Sequence, residues 1–281
     1  MSSILRNMTP RHLNQWLCLL FVSLILAACS TTPANKAQAP KQDETYVLQS
    51  VRYMHAGKLD EALASIQQAL EVNPKSADAY TVAGLIYNKN NQPEQAQRYL
   101  QRALSIDPNH SAAQTNYASF LCKHDKPFEA EKIFLAAATN NKNPQPEVAY
   151  TNAGLCVMGI PDTIKASNYF SKALQINPKS PVPLYQLAKI QYSSYQYKKA
   201  YQFLQAYENI ARPTPKTLLL GARIGEAMQN PQLAYQYRNL LTQQFPNSAE
   251  AKQITAVTPS NLRQQPAAYD LHDYNPEDTA Y

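Results

Sequence analysis

The sequence predicts an all-α chain in which one helix-turn-helix unit recurs six times and a short C-terminal helix closes the array. Three observations carry this. Small and large apolar residues return in the same order with a period of ~34 residues. Within each period they fall three or four residues apart, the spacing of a helical face. Glycine is scarce, with 6 in 281 residues, long β-branched runs are absent, and Ala, Leu, Gln and Asn abound.

The clearest unit is residues 77–108. Tyr80, Gly84 and Tyr87 form one helical stripe, Ala96, Leu100 and Ala103 a second, and Asn90 to Pro93 make the turn between them. Gly84 and Ala96 let two backbones approach, while Tyr87 and Leu100 fill the space beside the crossing. Asp107 and Pro108 close the unit.

The other units follow in order. The first begins near Asp43 and places Tyr46, Tyr53, Ala62, Ile66, Ala69 and Pro74 at the same positions. The third, from Ser111, has Tyr117, Ala118, Leu121, Ala130, Phe134 and Ala137, with its proline displaced to Pro144 by an insertion around Asn140 to Asn143. From Glu147 the fourth has Tyr150, Ala153, Gly154, Ala166, Phe170, Ala173 and Pro178. The fifth, from Pro181, keeps Leu184, Leu187, Ala188, Ala200 and Leu204 and sets Tyr207 in place of an alanine. The sixth, from Pro215, keeps Gly221, Ala222, Ala234 and Pro246, and places Arg238 at the large apolar position.

This pattern resembles the tetratricopeptide repeat over about 205 residues. The resemblance implies twelve paired helices in a right-handed superhelix whose concave face is lined mainly by the first helix of each pair. A helix over about residues 248–256 caps the last unit, because a terminal repeat otherwise exposes an apolar face. Residues 43–256 therefore form the repeat domain. Residues 257–281 mix Pro259, Pro266 and Pro276 with Asp270, Asp273, Glu277 and Asp278, a composition expected to be disordered.

At the other end Arg6 and Arg11 precede an apolar run from Trp16 to Ala28 that is too short to span a bilayer comfortably. Residues 1–28 read as a secretory leader. The run ends Leu26, Ala27, Ala28, Cys29, which resembles the lipobox of bacterial lipoproteins. That resemblance implies cleavage before Cys29, diacylation of its thiol and acylation of its new amine, and several acyl chains make a stable anchor. Ser30 stands where an inner-membrane retention signal would have Asp, so the expected address is the outer membrane, facing the periplasm. Residues 29–42, with Pro33 and Pro40, form a tether with a reach of about 20 Å.

The formal net charge is +6, or +4 once the leader with Arg6 and Arg11 is removed. Mixed-sign surfaces with so small an excess give no nucleic-acid footprint. His-Glu-x-x-His, a phosphate-cradling glycine loop and a Gly-x-Ser-x-Gly elbow are all missing. Cys122 and His124 lie two residues apart and point to different helix faces, a poor nucleophile pair. Cys122, His124 and Cys156 lack an evident fourth zinc ligand. The expectation is a non-enzyme with no cofactor, no metal and no small-molecule substrate.

Cys122 and Cys156 are each other's better explanation. They stand one period apart, at the ends of first helices that the fold stacks side by side, in a chain bound for an oxidising compartment. A bridge needs a Cα separation of about 4.4 to 6.8 Å. Two buried free thiols are the alternative.

The fifth, ninth and twelfth residues of each repeat are expected to face the groove. These are Val47, Val51 and Met54; Thr81, Leu85 and Asn88; Thr115, Ser119 and Cys122; Thr151, Leu155 and Met158; Tyr185, Lys189 and Tyr192. Such a lining is apolar and hydroxylic and suits an extended or helical apolar segment. It lacks the Lys/Asn/Arg set by which chaperone-binding members of the fold clamp a C-terminal carboxylate. Inter-repeat packing is the competing role for any one of these residues.

The runs Asn116 to Cys122 and Asn152 to Cys156, and the later Tyr207, Glu208 and Ala211 to Pro215, resemble the signature of type IV pilus biogenesis/stability lipoproteins, the PilF/PilW family. A lipobox followed by six repeats is also that family's layout. The resemblance implies a pilotin that helps the pilus secretin reach, or multimerise in, the outer membrane, with secretin subunits as partners and no catalysis. A general adaptor lipoprotein of another envelope machine shares every feature except the cysteine-bearing runs.

Overall fold

The structure, a computed structural model, describes residues 41–158 and 163–256. Among them lie thirteen helices and no strand. The six pairs are α1 (Gln42–His55) with α2 (Leu59–Val72), α3 (Ala77–Lys89) with α4 (Pro93–Ile106), α5 (Ser111–Lys123) with α6 (Pro127–Thr139), α7 (Pro146–Val157) with α8 (Thr163–Ile176), α9 (Pro181–Ser193) with α10 (Tyr197–Glu208), and α11 (Pro215–Ala227) with α12 (Pro231–Gln244). The cap is α13 (Ala249–Ala256). The chain folds as a superhelix of tetratricopeptide repeats.

Each helix starts and stops where the sequence supplies the means. Proline opens α4, α6, α7, α9, α11 and α12, where a missing N–H costs nothing. The Ser76 and Asn230 side chains accept from Ala79 N and Leu233 N, and Thr214 with Thr217 forms a reciprocal capping box. His110 caps α5 by accepting from Ala113 N at 3.1 Å through Nδ1, while its Nε2 lies 3.0 Å from Asp78 Oδ1 of the preceding repeat.

The turn inside a pair is built the same way in five units. Gly57, Asn91, Asp125, Tyr195 and Gln229 take the left-handed conformation, with φ of 73°, 54°, 57°, 59° and 56°. The next N–H then reaches back five residues, as in Lys58 to Tyr53, Gln92 to Tyr87, Lys126 to Leu121, Gln196 to Gln191 and Asn230 to Gly225. This is the Schellman closure, which satisfies the last carbonyls of the first helix.

Between units the chain turns on Asn or Asp. Asn73, Asp107 and Asn177 each accept from the backbone N–H two residues on, ahead of or around a proline that cannot continue a helix. The Asn-rich insertion is two such turns in series. Asn140 Oδ1 accepts from Lys142 N and Asn143 Oδ1 from Gln145 N, while Asn143 Nδ2 donates to Ala137 O at 2.8 Å.

Small-against-large crossings hold the pairs. A Cβ on Gly84 would sit 2.6 Å from Leu100 Cγ, and one on Gly154 would sit 2.6 Å from Phe170 Cε1. The sixth repeat departs from the expectation that Arg238 fills the large position. Tyr237 fills it, packed on Gly221 where an added Cβ would meet its ring at 2.4 Å, and it is buried. Glycine and aromatic have both moved one residue toward the N-terminus, so Arg238 turns outward and pairs with Glu226. The core is a line of apolar clusters, the largest running from Ala96 to Ile190 through repeats two to five.

Candidate functional site

The first helices of repeats three and four are joined covalently. Cys122 near the end of α5 and Cys156 near the end of α7 form a disulfide with a Cα separation of 5.8 Å. Both cysteines pack in the central apolar cluster, Cys156 buried within it and Cys122 partly buried against it. His124 lies with its ring 4.3 Å from that of Phe120 and belongs to the C-cap of α5.

The groove residues fall into two groups. Val47, Val51, Met54, Leu85, Asn88, Thr115, Ser119, Tyr185 and Tyr192 are half-buried, with a face left open. Thr81, Thr151, Leu155 and Lys189 are buried within the chain, and so is Met158. Leu155 and Met158 belong to the central core cluster. The hydroxyls also differ from the expected lining, because those of Thr81, Ser119 and Thr151 donate to Ala77 O, Thr115 O and Glu147 O of their own helices. A hydroxyl satisfied by its own backbone is not a donor for a ligand. The open surface is thus more apolar than its residue types alone indicate.

Between repeats five and six the lining opens into a cavity of about 540 Å³. Tyr185, Gln186 and Lys189 come from α9, Tyr207 from α10, Thr217 from α11 and Glu250 from the cap. Lys189 is 2 % exposed, with Nζ 5.7 Å from the Tyr185 ring centroid. Gln186 is 7 % exposed, and its Oε1 has no hydrogen-bond partner among the described residues. Burial pushes the Tyr207 hydroxyl above its ordinary pKa. Of these residues only Tyr185 and Lys189 were legible as groove positions. Gln186, Lys216 and Glu250 come from separate elements and carry no motif.

Polar ties between repeats were also missed, although one had a readable sign. Glu131 and Lys165 stand one period apart and meet at 3.2 Å, and Tyr169 donates its hydroxyl to the same carboxylate. Tyr237 likewise donates to Glu208 Oε1 at 2.8 Å across repeats five and six.

Among the described residues no group of His, Cys, Asp and Glu is arranged to hold a metal ion. Nor is any described helix long and apolar enough to cross a membrane. Cys29, the leader, most of the tether, Gly159, Pro161 and the segment 257–281 lie outside the described residues.

Fold and lining together define a repeat protein with a groove, and comparison with known proteins gives the same class. Two family models described as tetratricopeptide repeat match residues 48–109 and 87–152. Among curated proteins the chain is similar to the type IV pilus assembly protein PilF of Pseudomonas aeruginosa, 25% identical over 122 residues. That alignment covers 43% of this chain and 48% of the relative, about half its length. Among solved structures, PilW, described as a widely conserved type IV pilus biogenesis factor, superposes with a TM-score of 0.69 at 29% identity, over 77% of this chain and 100% of that one. The Pseudomonas aeruginosa PilF structure gives 0.68 at 25% identity, over 76% and 96%.

Proposed function

We propose that the chain is an outer-membrane lipoprotein scaffold of type IV pilus biogenesis, a pilotin that binds secretin subunits and promotes their localisation or multimerisation in the outer membrane. The observation that carries this reading is the likeness to PilW along that chain's whole length at 29% identity. The lipobox at Cys29 supplies the anchor, and the Cys122–Cys156 bridge suits an exported protein.

In this reading the half-buried apolar positions of the first helices receive a secretin segment, and the protein acts by holding subunits near the membrane until their ring closes. Catalysis has no part in it. Leu85 is the position to probe, because it is half-buried and stands apart from the core clusters. Secretin should co-purify with the detergent-solubilised chain, and Leu85→Asp should reduce the recovered secretin several-fold while leaving helicity unchanged. Equal recovery with the variant contradicts the groove assignment.

A further inference from the structure

We propose that the second-helix side of repeats one and two carries a binding site for an acidic segment of a partner protein, one that turns a pair of carboxylates and an aromatic ring to the same side. A cavity of about 560 Å³ opens there. Leu70 of α2, Tyr80 of α3 and Tyr99 of α4 form its apolar walls, and Arg98 and Arg102 of α4 its charged one. The charge is of one sign. Both arginines are exposed, the lining holds no acid, and among the described residues no carboxylate lies within ion-pair distance of either guanidinium. The neighbouring acids on the chain, Glu94 and Asp107, stand outside the lining.

The walls are fixed by packing. Tyr80 and Tyr99 have ring centroids 5.9 Å apart, and Tyr99 packs in turn on Tyr87 at 4.9 Å. The Arg102 guanidinium lies over the Tyr80 ring, with Cζ 5.8 Å from its centroid, and Nη1 donates to Ser105 Oγ at 3.4 Å. A planar guanidinium held on a ring loses little further freedom when it binds a carboxylate with its fork. Arginine and tyrosine are also the residues on which protein interfaces concentrate their binding energy. Spacing then selects the ligand. Residues four apart on a helix have Cβ atoms about 6 Å apart. Alternate residues of an extended segment point to one side about 6.5–7 Å apart, so two acids separated by one residue match the two arginines. A third alternate position brings an aromatic side chain against Tyr80. A polyanion such as a nucleic acid would need a longer basic stripe than one pair. Because the site lies on second helices, it leaves the first-helix groove free, and one chain can hold two partners at once.

The inference goes beyond the pilus reading and does not rest on it, since the test needs only the purified chain and synthetic peptides. The mature chain with Cys29→Ser, which keeps acyl groups out of the measurement, is titrated with a fluorescein-labelled Tyr-Ala-Glu-Ala-Glu peptide and its Tyr-Ala-Gln-Ala-Gln counterpart, and anisotropy is read. The glutamate peptide should bind tighter by about fivefold or more. Arg98→Gln with Arg102→Gln should abolish that preference with an unchanged melting curve, both positions being exposed. Lys198→Gln with Lys199→Gln, which removes the same charge from exposed positions of α10, should leave it intact. Equal affinity for the two peptides overturns the proposal, and so does an equal loss in the lysine variant. Phosphatidylglycerol vesicles are the rival ligand. Vesicles bound through Arg98 and Arg102, with the glutamate peptide unbound, would assign the site to lipid headgroups and overturn the proposal.

Discussion

Glu208 shows how one partly buried contact sets a pH dependence. Burial raises its carboxyl pKa, partly offset by the hydrogen bond from Tyr237. A raised folded-state value means that the fold prefers the protonated form, so the group contributes most below the ordinary carboxylate range and less as pH rises through its folded value. Glu208→Gln keeps an acceptor for the Tyr237 hydroxyl and never ionises. Its melting temperature should exceed that of the parent at pH 7, with the difference shrinking towards pH 4. A lower melting temperature at pH 7 contradicts the assignment. The left-handed turn residues give a second test. Gln229 is exposed at φ 56°, and Gln229→Gly should stabilise by about 0.5–1 kcal/mol, read from denaturant midpoints. The glycines of the crossings rank by what they meet. A Cβ at Gly225 lies 2.5 Å from the backbone nitrogen of Ala234, whereas at Gly84 the obstacle is the Leu100 side chain. Gly225→Ala should therefore cost more than Gly84→Ala, within the ~1–3 kcal/mol usual for overpacking, because backbone yields less than a rotamer.

At the scale of elements, the disulfide closes a loop across repeats three and four, with its cysteines 34 residues apart. In the chain-entropy model a loop of that size is worth about 3–4 kcal/mol. The Cys122→Ser, Cys156→Ser double variant should lose close to that amount in chemical denaturation. Alkylation of the unfolded, unreduced mature protein should find no thiol at either position, and an equal stability or two alkylated thiols contradicts the bridge. These cysteines were readable because the repeat period places equivalent positions side by side, and Glu131 and Lys165 obey the same spacing but went unread because nothing else marks them. Helix limits were equally legible from the turn prolines and the small-large alternation. The sixth repeat was not, since Gly221 and Tyr237 shift together and preserve the packing while leaving the consensus register. Thr81 and Thr151 were read as lining because sequence does not show which way a hydroxyl turns, and their own carbonyls claimed them. The cavity of Gln186, Lys216 and Glu250 escaped notice because it joins residues of three helices with no shared spacing.

For the whole molecule, the proposed role couples an anchor at Cys29 to a groove whose first expected residue, Val47, stands 18 positions on, with an expected tether reach of about 20 Å. Cys29→Ser should release the protein to the soluble fraction and misplace the secretin, while normal membrane fractionation contradicts the anchor. Secretin assembly itself is read from heat-resistant secretin oligomer in outer-membrane fractions, compared with and without this gene and with secretin monomer as the control. Without the gene, the oligomer should be lost while monomer persists. Oligomer present in the outer membrane at the same level without the gene would contradict it.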